Sequence, residues 1–249
     1  MKDLVKEGSS SARPSHDETV RRFWEIDFAR GIGIVMMIVS NFVTDLQYFE
    51  NYNSHAIFWH VFAVITATIF IFLVGVSLTV SYSRSNALSK FLKRGAYIFG
   101  LGMILTLVTW IFIPQDYIRF GILHLIGISI ILAYPFLKLK NNYLILLTAF
   151  ISVLLGYFIK TMTASSNLLL WTGLTTNGFS SVDYFPLFPW FGLILVGLVA
   201  GRLFYPSGIR HFKIPEIKFS KPICWMGRHS LAIYFIHQPI LLFLLYLFA

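Results

Sequence analysis

Cysteine and charge are both scarce in this chain. It has one cysteine, Cys224, among 249 residues, and Asp, Glu, Lys and Arg together make up 12% of it. A single thiol can neither close an intrachain disulfide nor build a thiolate metal site. Water-soluble domains carry about twice that fraction of charged residues. The composition therefore excludes a disulfide scaffold, a disordered chain and an ordinary soluble domain.

The sequence also lacks the short motifs of common metal and cofactor sites. It contains no HExxH, no P-loop and no GxGxxG at a strand–helix junction. Its seven histidines are scattered, and the spacing of His55 and His60 does not place two ligands on one helical face. No basic patch is interleaved with aromatic residues on a soluble domain. We therefore expect no metal ion and no nucleic-acid partner.

Long apolar runs dominate the chain instead. Hydrophobic residues make up 57% of it, and 25 residues are phenylalanine. Crossing a bilayer takes about 20 apolar residues, with roughly 17 to 25 accepted. Windows that are free or nearly free of charge occur at residues 28–44, 57–83, 95–113, 120–137, 143–159, 184–201 and 231–249. The sequence thus predicts an all-α integral membrane protein, a single bundle of about seven transmembrane helices in the cell membrane.

The net charge of +9 is distributed unevenly along the chain. Of the 20 lysines and arginines, all but Arg119 and Lys160 fall on the N-terminal segment, at the start of the first span or on every second connection. The positive-inside rule then predicts a cytoplasmic N-terminus and a C-terminus outside. Residues 1–22 are polar and rich in serine, so we expect a disordered cytoplasmic tail before a membrane domain at 23–249.

Polar side chains near the outer ends of the spans form one group of candidate site residues. Asn41 and Asp45 lie one turn apart on the first helix. The group comprises Asn41, Asp45, His55, Arg119, His124 and Asp183. Polar groups are costly in lipid and usually face the bundle interior, so helices 1, 2, 4 and 6 would enclose a polar chamber if they meet there. Packing is the competing explanation for each histidine, and we interpret His60 and His237 as structural.

A basic group lies at the opposite, cytoplasmic face. It comprises Arg30, Arg84, Lys93, Arg94, Arg202 and Arg228. These residues can be topology determinants only. They can also form a site for a cytosolic polyanion, such as a phosphate-bearing cofactor or anionic lipid head groups. Arg30 is the best candidate because it lies inside the apolar run, although Asp27, three residues before it, also allows a structural ion pair.

Five segments carry a recognisable pattern. They are EIDFARGIGIVMMIVSNFVTDLQYF, FIFLVGVSL, RFGILHLIGISIIL, DYFPLFPWFGLILVG and GRHSLAIYFIHQPILL. In this order they resemble the heparan-α-glucosaminide N-acetyltransferase catalytic-domain family, from about residue 23 to the C-terminus. The chain is most similar to the short prokaryotic members, which lack the extra luminal domain and further helices of the lysosomal enzyme.

The resemblance implies a transmembrane acyltransferase. The donor would be cytosolic acetyl-CoA or another acyl-CoA, and the acceptor an amine or hydroxyl of an extracytoplasmic glycan or lipid-linked sugar. Asn41 occupies the position of the family's asparagine, and His55 is the nearest counterpart of its loop histidine. His124 and Arg119 match the family's GILH segment and the arginine before it. Many prokaryotic members have histidine where Asn41 stands, so the identity of the base stays open.

The residues themselves are compatible with this chemistry. Acyl transfer from a thioester needs a base for the acceptor and a donor for the developing oxyanion. An imidazole, of His55 or His124, suits the first role, and the Asn41 amide or Arg119 suits the second, with Asp45 lining the same site. The candidates for the CoA phosphates are Arg30, Arg84, Arg94 and Arg228.

The same residues are compatible with two other classes of protein. In a small-solute or lipid transporter, the same polar residues would form a path across the membrane. In a membrane scaffold they would have no chemical role. Contacts with membrane lipids are expected in every case, and a homo-oligomer is compatible with the small-residue helix faces.

Overall fold

The structure, a computed structural model, describes residues 22–50, 52, 54–212, 214–215 and 220–248. The tail predicted at 1–22 falls almost entirely outside the described residues. Within them the fold is all-helical, with two isolated β-bridges and no β-strand. The predicted all-α class is confirmed.

Nine α-helices occur in the described part of the chain. They are α1 (Trp24–Phe49), α2 (Ala56–Arg84), α3 (Leu88–Phe112), α4 (Ile122–Leu132), α5 (Tyr134–Lys138), α6 (Asn142–Ile159), α7 (Leu187–Phe204), α8 (Ser220–Arg228) and α9 (Ser230–Phe248). Six of them, α1, α2, α3, α6, α7 and α9, are long and apolar enough to cross a membrane. This confirms a multi-pass membrane protein, and the family match reported below agrees with it.

The window predicted as the fourth span, residues 120–137, forms two consecutive helices. Helix α4 has 11 residues, too few to cross a bilayer alone, and α5 follows directly after Ala133. Pro135 explains the break, because it has no N–H to offer the carbonyl four residues earlier. The backbone stays near-helical at Ala133, with φ −72° and ψ −17°. The predicted count of seven crossings therefore depends on whether α4 and α5 cross together.

Glycines set the closest helix contacts. Gly75 of α2 and Gly197 of α7 face each other, so that a Cβ at Gly197 would collide with the carbonyl of Phe72. Gly201, one turn further along α7, packs on Thr79 in the same way. Small residues allow two helix backbones to approach closely in a membrane. Gly197 and Gly201 therefore serve the packing of α7 on α2.

Helices α8 and α9 pack along α1, and this contact positions the candidate site. Gly227 of α8 lies against the backbone carbonyl of Asp27, and the thiol of Cys224 donates to Trp24 O. Helix α9 continues in the same direction and packs mainly on α1. The residues of α9 that follow Ser230 therefore lie beside the second half of α1.

Candidate functional site

One face of α1 connects the two groups of candidate residues. Arg30, Ile34, Met37, Asn41 and Asp45 recur at three- and four-residue spacings, which places them on the same side of the helix. Ile34, Met37 and Asp45 are buried, so this face is turned into the bundle. We call it the α1 stripe. At 1.5 Å per residue, Arg30 and Asn41 lie about 16 Å apart along it.

At its C-terminal end, which the sequence predicts to face outward, the α1 stripe meets two polar side chains of α9. The Asn41 amide nitrogen lies 2.7 Å from His237 Nε2. The Gln238 amide donates to both carboxylate oxygens of Asp45, at 2.8 and 3.0 Å. These four side chains form what we call the outer polar cluster. It unites Asn41 and Asp45, as the sequence predicts, with a histidine that sequence reasoning interpreted as structural.

Asp183 joins the outer polar cluster to the start of α4. Its Oδ2 accepts from the Ile122 backbone N–H at 3.1 Å and from the Tyr234 hydroxyl at 3.5 Å. The Tyr234 ring lies 5.6 Å from that of His237, centroid to centroid. Removal from water raises the pKa of the Asp183 carboxyl to about 6, although the two hydrogen bonds act in the opposite direction.

His124 lies apart from Asn41, on the side of α4 that packs against α3. Its Nδ1 accepts from the Gly121 N–H at 3.2 Å, and its Nε2 is 3.4 Å from the Thr106 hydroxyl. The ring packs against the rings of Phe99 and Phe120 and is 2% exposed. Both nitrogens of His124 therefore already have partners in the protein.

Arg119 and His55 also make their contacts elsewhere. The Arg119 guanidinium lies over the rings of Tyr117 and Phe179, at 4.9 and 5.2 Å, and its buried Nε has no hydrogen-bond partner among the described residues. His55 is exposed just before α2, in the left-handed backbone region, with its Nδ1 2.8 Å from the Ser54 hydroxyl. Among the described residues, neither side chain makes a hydrogen bond to the outer polar cluster.

The basic group divides into structural and candidate binding residues. Arg202 donates to the carbonyls of Phe136 and Leu137 and so closes the end of α5. Arg30 forms the ion pair with Asp27 that its spacing allows, at 3.2 Å, and also donates to Ser77 at 2.8 Å. Arg30 therefore has a structural role, and these two contacts are compatible with an additional role in binding.

The remaining arginines of the basic group lie around this end of α1. Arg94 of α3 is close enough to Arg30 for the two charges to interact, and Lys90 interacts in the same way with Arg84 and Arg94. Arg84 also lies over the ring of Phe23, at 5.9 Å. Arg228 is exposed at the end of α8, next to the glycine that packs on Asp27. We call Arg30, Arg84, Arg94 and Arg228 the basic cluster.

The geometry thus gives one helix face with cations at one end and an imidazole, two amides and a carboxylate at the other. The sequence matches the family described as "Heparan-alpha-glucosaminide N-acetyltransferase, catalytic" over residues 22–239. The chain belongs to this family. The match confirms the resemblance carried by the five segments, and membership suggests a transmembrane enzyme of the acetyltransferase kind. No curated protein and no solved structure matches the chain.

Metal ligands do not gather at this site. Among the described residues, no three His, Cys, Asp or Glu side chains form a group that could hold a metal ion. The outer polar cluster contains one carboxylate and one imidazole, each already bonded to an amide. Its arrangement is suited to hydrogen bonding and proton transfer.

Proposed function

We propose that this protein is a transmembrane acyltransferase. It moves an acyl group, which we propose to be acetyl, from cytosolic acyl-CoA to an amine or hydroxyl of an extracytoplasmic sugar or glycolipid. The observation that carries the proposal is the α1 stripe. Acyl-CoA carries phosphates at one end, a long arm in the middle and a thioester at the other end. The α1 stripe has cations, apolar residues and a polar cluster in the same order.

The basic cluster suits the phosphate end of acyl-CoA. Guanidinium groups bind phosphate oxygens with two parallel hydrogen bonds. Asp27 neutralises only part of the charge, because Arg30 lies close to a second guanidinium, that of Arg94. The surplus of positive charge favours a polyanion at this end of the stripe.

The middle of the stripe suits the arm of the donor. Ile34 and Met37 are buried apolar residues between Arg30 and Asn41. The arm of the donor would have to span the distance of about 16 Å between those two positions. A donor held at the basic cluster would therefore bring its thioester to the outer polar cluster. The acceptor, from the other side of the membrane, would meet it there.

The proposal requires that α1 run from the cytoplasm outward, with seven crossings in total. The parallel course of α1 and the α8–α9 pair supports it. Trp24 lies beside Cys224 near the start, and Asp45 lies beside Gln238 further along both segments. Two parallel spans need an odd number of crossings between them, and α2, α3, α6 and α7 make four. The α4–α5 segment supplies the fifth, at about 25 Å for 17 residues.

Purified full-length protein in lipid nanodiscs tests the proposed function. We expect acetyl-CoA to raise its melting temperature, and glucosamine to raise the release of free CoA thiol. Arg94→Gln should weaken CoA binding about tenfold or more, since a hydrogen bond to a charged group contributes about 1.5–3 kcal/mol. Lys140→Gln is the matched control, because Lys140 is an exposed cation outside the basic cluster.

One result would contradict this function, and another would contradict the assignment of CoA binding to the basic cluster. One is a wild-type protein that neither binds CoA nor releases thiol, as expected for a transporter or a scaffold. The other is equal loss of CoA binding in Arg94→Gln and Lys140→Gln, which would mean that the effect of charge is not localised at the basic cluster.

A further inference from the structure

His237 is held in one tautomer by two contacts. Its Nδ1 lies 2.7 Å from the backbone carbonyl of Tyr234. A carbonyl oxygen can only accept, so in the neutral ring Nδ1 carries the proton. Nε2 then bears the free lone pair and faces the Asn41 amide nitrogen, which donates to it at 2.7 Å. The residue is 7% exposed.

The two other candidate histidines lack this arrangement. The lone pair of His124 Nδ1 is already used by the Gly121 N–H. If His124 Nδ1 took a proton from an acceptor, the buried Gly121 N–H would lose its hydrogen-bond partner. His55 is exposed and bonded to the neighbouring Ser54, outside the helices that form the outer polar cluster. Of the three, only His237 presents an unprotonated nitrogen to the residues of the α1 stripe.

We propose that His237 is the general base of the acyl transfer, in place of His55 and His124, and that it touches the acceptor directly. The proposal rests on the proposed function, because the α1 stripe is what brings the thioester to Asn41. Helix α9 therefore contributes the group that removes the proton, while α1 contributes the path of the donor.

The reaction then follows from the two contacts. The N–H or O–H of the acceptor displaces the Asn41 amide from Nε2, and its nitrogen or oxygen attacks the thioester carbonyl carbon. The new C–N or C–O bond forms and the C–S bond breaks. The acceptor proton passes to Nε2 and from there to the CoA thiolate, which leaves as the free thiol. The displaced Asn41 N–H is released to stabilise the oxyanion.

Two substitutions separate a base from a structural histidine. His237→Asn keeps an amide donor near the position of Nδ1, where it can still bond to Tyr234 O. His237→Gln places an amide near the position of Nε2, beside Asn41. Neither side chain can take up a proton. His60→Gln is the matched control, because His60 is exposed on α2.

We expect both His237 variants to lose thiol release by about 100-fold or more while keeping the CoA-induced rise in melting temperature, since a general base contributes about 10²–10⁴-fold. His60→Gln should match the wild type. Release above a tenth of the wild-type rate in either His237 variant would overturn the proposal and assign a structural role. A wild-type protein that CoA does not stabilise would instead overturn the proposed function itself.

Chemical labelling gives a second measurement that needs no turnover. Diethyl pyrocarbonate acylates unprotonated imidazole nitrogens, and peptide mass spectrometry locates the product. We expect labelling of His237 that saturating acetyl-CoA suppresses, with labelling of His60 unchanged. Labelling of His237 that acetyl-CoA leaves unchanged would overturn the proposal. The absence of labelling would do the same, because an acceptor amine must reach the same nitrogen.

Discussion

At the scale of single residues, the candidate site depends on which polar groups share a partner. Asn41 and Asp45 look alike in the sequence, yet Asn41 meets an imidazole and Asp45 meets an amide. Asp183 lies outside the outer polar cluster but touches it through Tyr234. Its carboxylate joins the connection before α7 to the start of α4 and to α9, so its protonation bears on how those elements are held together.

The raised pKa of Asp183 predicts a pH dependence of stability. Its folded-state pKa of about 6 exceeds the ordinary value of about 3.9, so the folded state binds the proton more tightly. The free energy of unfolding that this group contributes therefore falls as the pH rises from about 4 to about 6. Asp183→Asn keeps an oxygen for both donors and should flatten the melting temperature against pH over this range.

Asp116 provides the matched comparison for that experiment. Hydrogen bonds from Ser180 and Tyr48 lower the pKa of the Asp116 carboxyl, so its contribution has the opposite sign and is lost as the pH falls. Asp116→Asn should therefore remove stability above the ordinary carboxyl pKa and leave the slope due to Asp183 in place. Identical pH profiles for the wild type and Asp183→Asn would refute the account of Asp183.

At the scale of helices, glycines set how closely the backbones of neighbouring helices approach. The α2–α7 contact carries much of the core, and Gly75, Gly197 and Gly201 let the two backbones approach. Helix α9 depends instead on side-chain pairs with α1, because it makes few other contacts. The outer polar cluster therefore also fixes the rotation of α9 about its own axis.

A pair of glycine substitutions tests the α2–α7 contact. Gly197→Ala places a methyl group against the Phe72 carbonyl, and overpacking of this kind costs about 1–3 kcal/mol. Gly100→Ala on α3 meets no atom within 4 Å and should be neutral or slightly stabilising. Thermal unfolding in nanodiscs should show a lower melting temperature for Gly197→Ala and no decrease for Gly100→Ala. Equal melting temperatures for the two variants would show that α2 and α7 can separate without loss.

At the scale of the whole molecule, the α4–α5 segment decides the topology, because it sets the number of membrane crossings. With the predicted cytoplasmic N-terminus, a crossing α4–α5 segment puts the connection 139–141 in the cytoplasm and the connection 160–186 outside. If the α4–α5 segment does not cross, the two connections exchange sides and the C-terminus lies in the cytoplasm. The parallel course of α1 and α9 supports the first arrangement, which the proposed function requires.

Single cysteines in a Cys224→Ser background decide between the two arrangements. A membrane-impermeant maleimide applied to intact cells should label Ser165→Cys, which is exposed on the connection before α7. It should label Lys140→Cys only after the membrane is permeabilised. For a cytoplasmic N-terminus, the reverse pattern would place the α4–α5 segment on one side of the membrane and remove the seventh crossing.

The sequence by itself determined the class of the protein. Apolar runs long enough to span a bilayer leave no soluble alternative, because their backbone groups must be satisfied within helices. It also determined the family and the shared helix face of Asn41 and Asp45, which follows from their spacing alone. Pro135 was visible as well, although its effect on the fourth predicted span was missed.

Only the tertiary structure decided which histidine faces Asn41. His55 and His124 are nearer to Asn41 in the sequence, but His124 is turned toward α3 by its bond to Gly121. The adjacent His237 and Gln238 within an apolar helix were the one available signal, and Pro239 offered a structural explanation for them. Contacts between residues almost 200 positions apart depend on how helices pack, and no spacing rule along one helix contains that information.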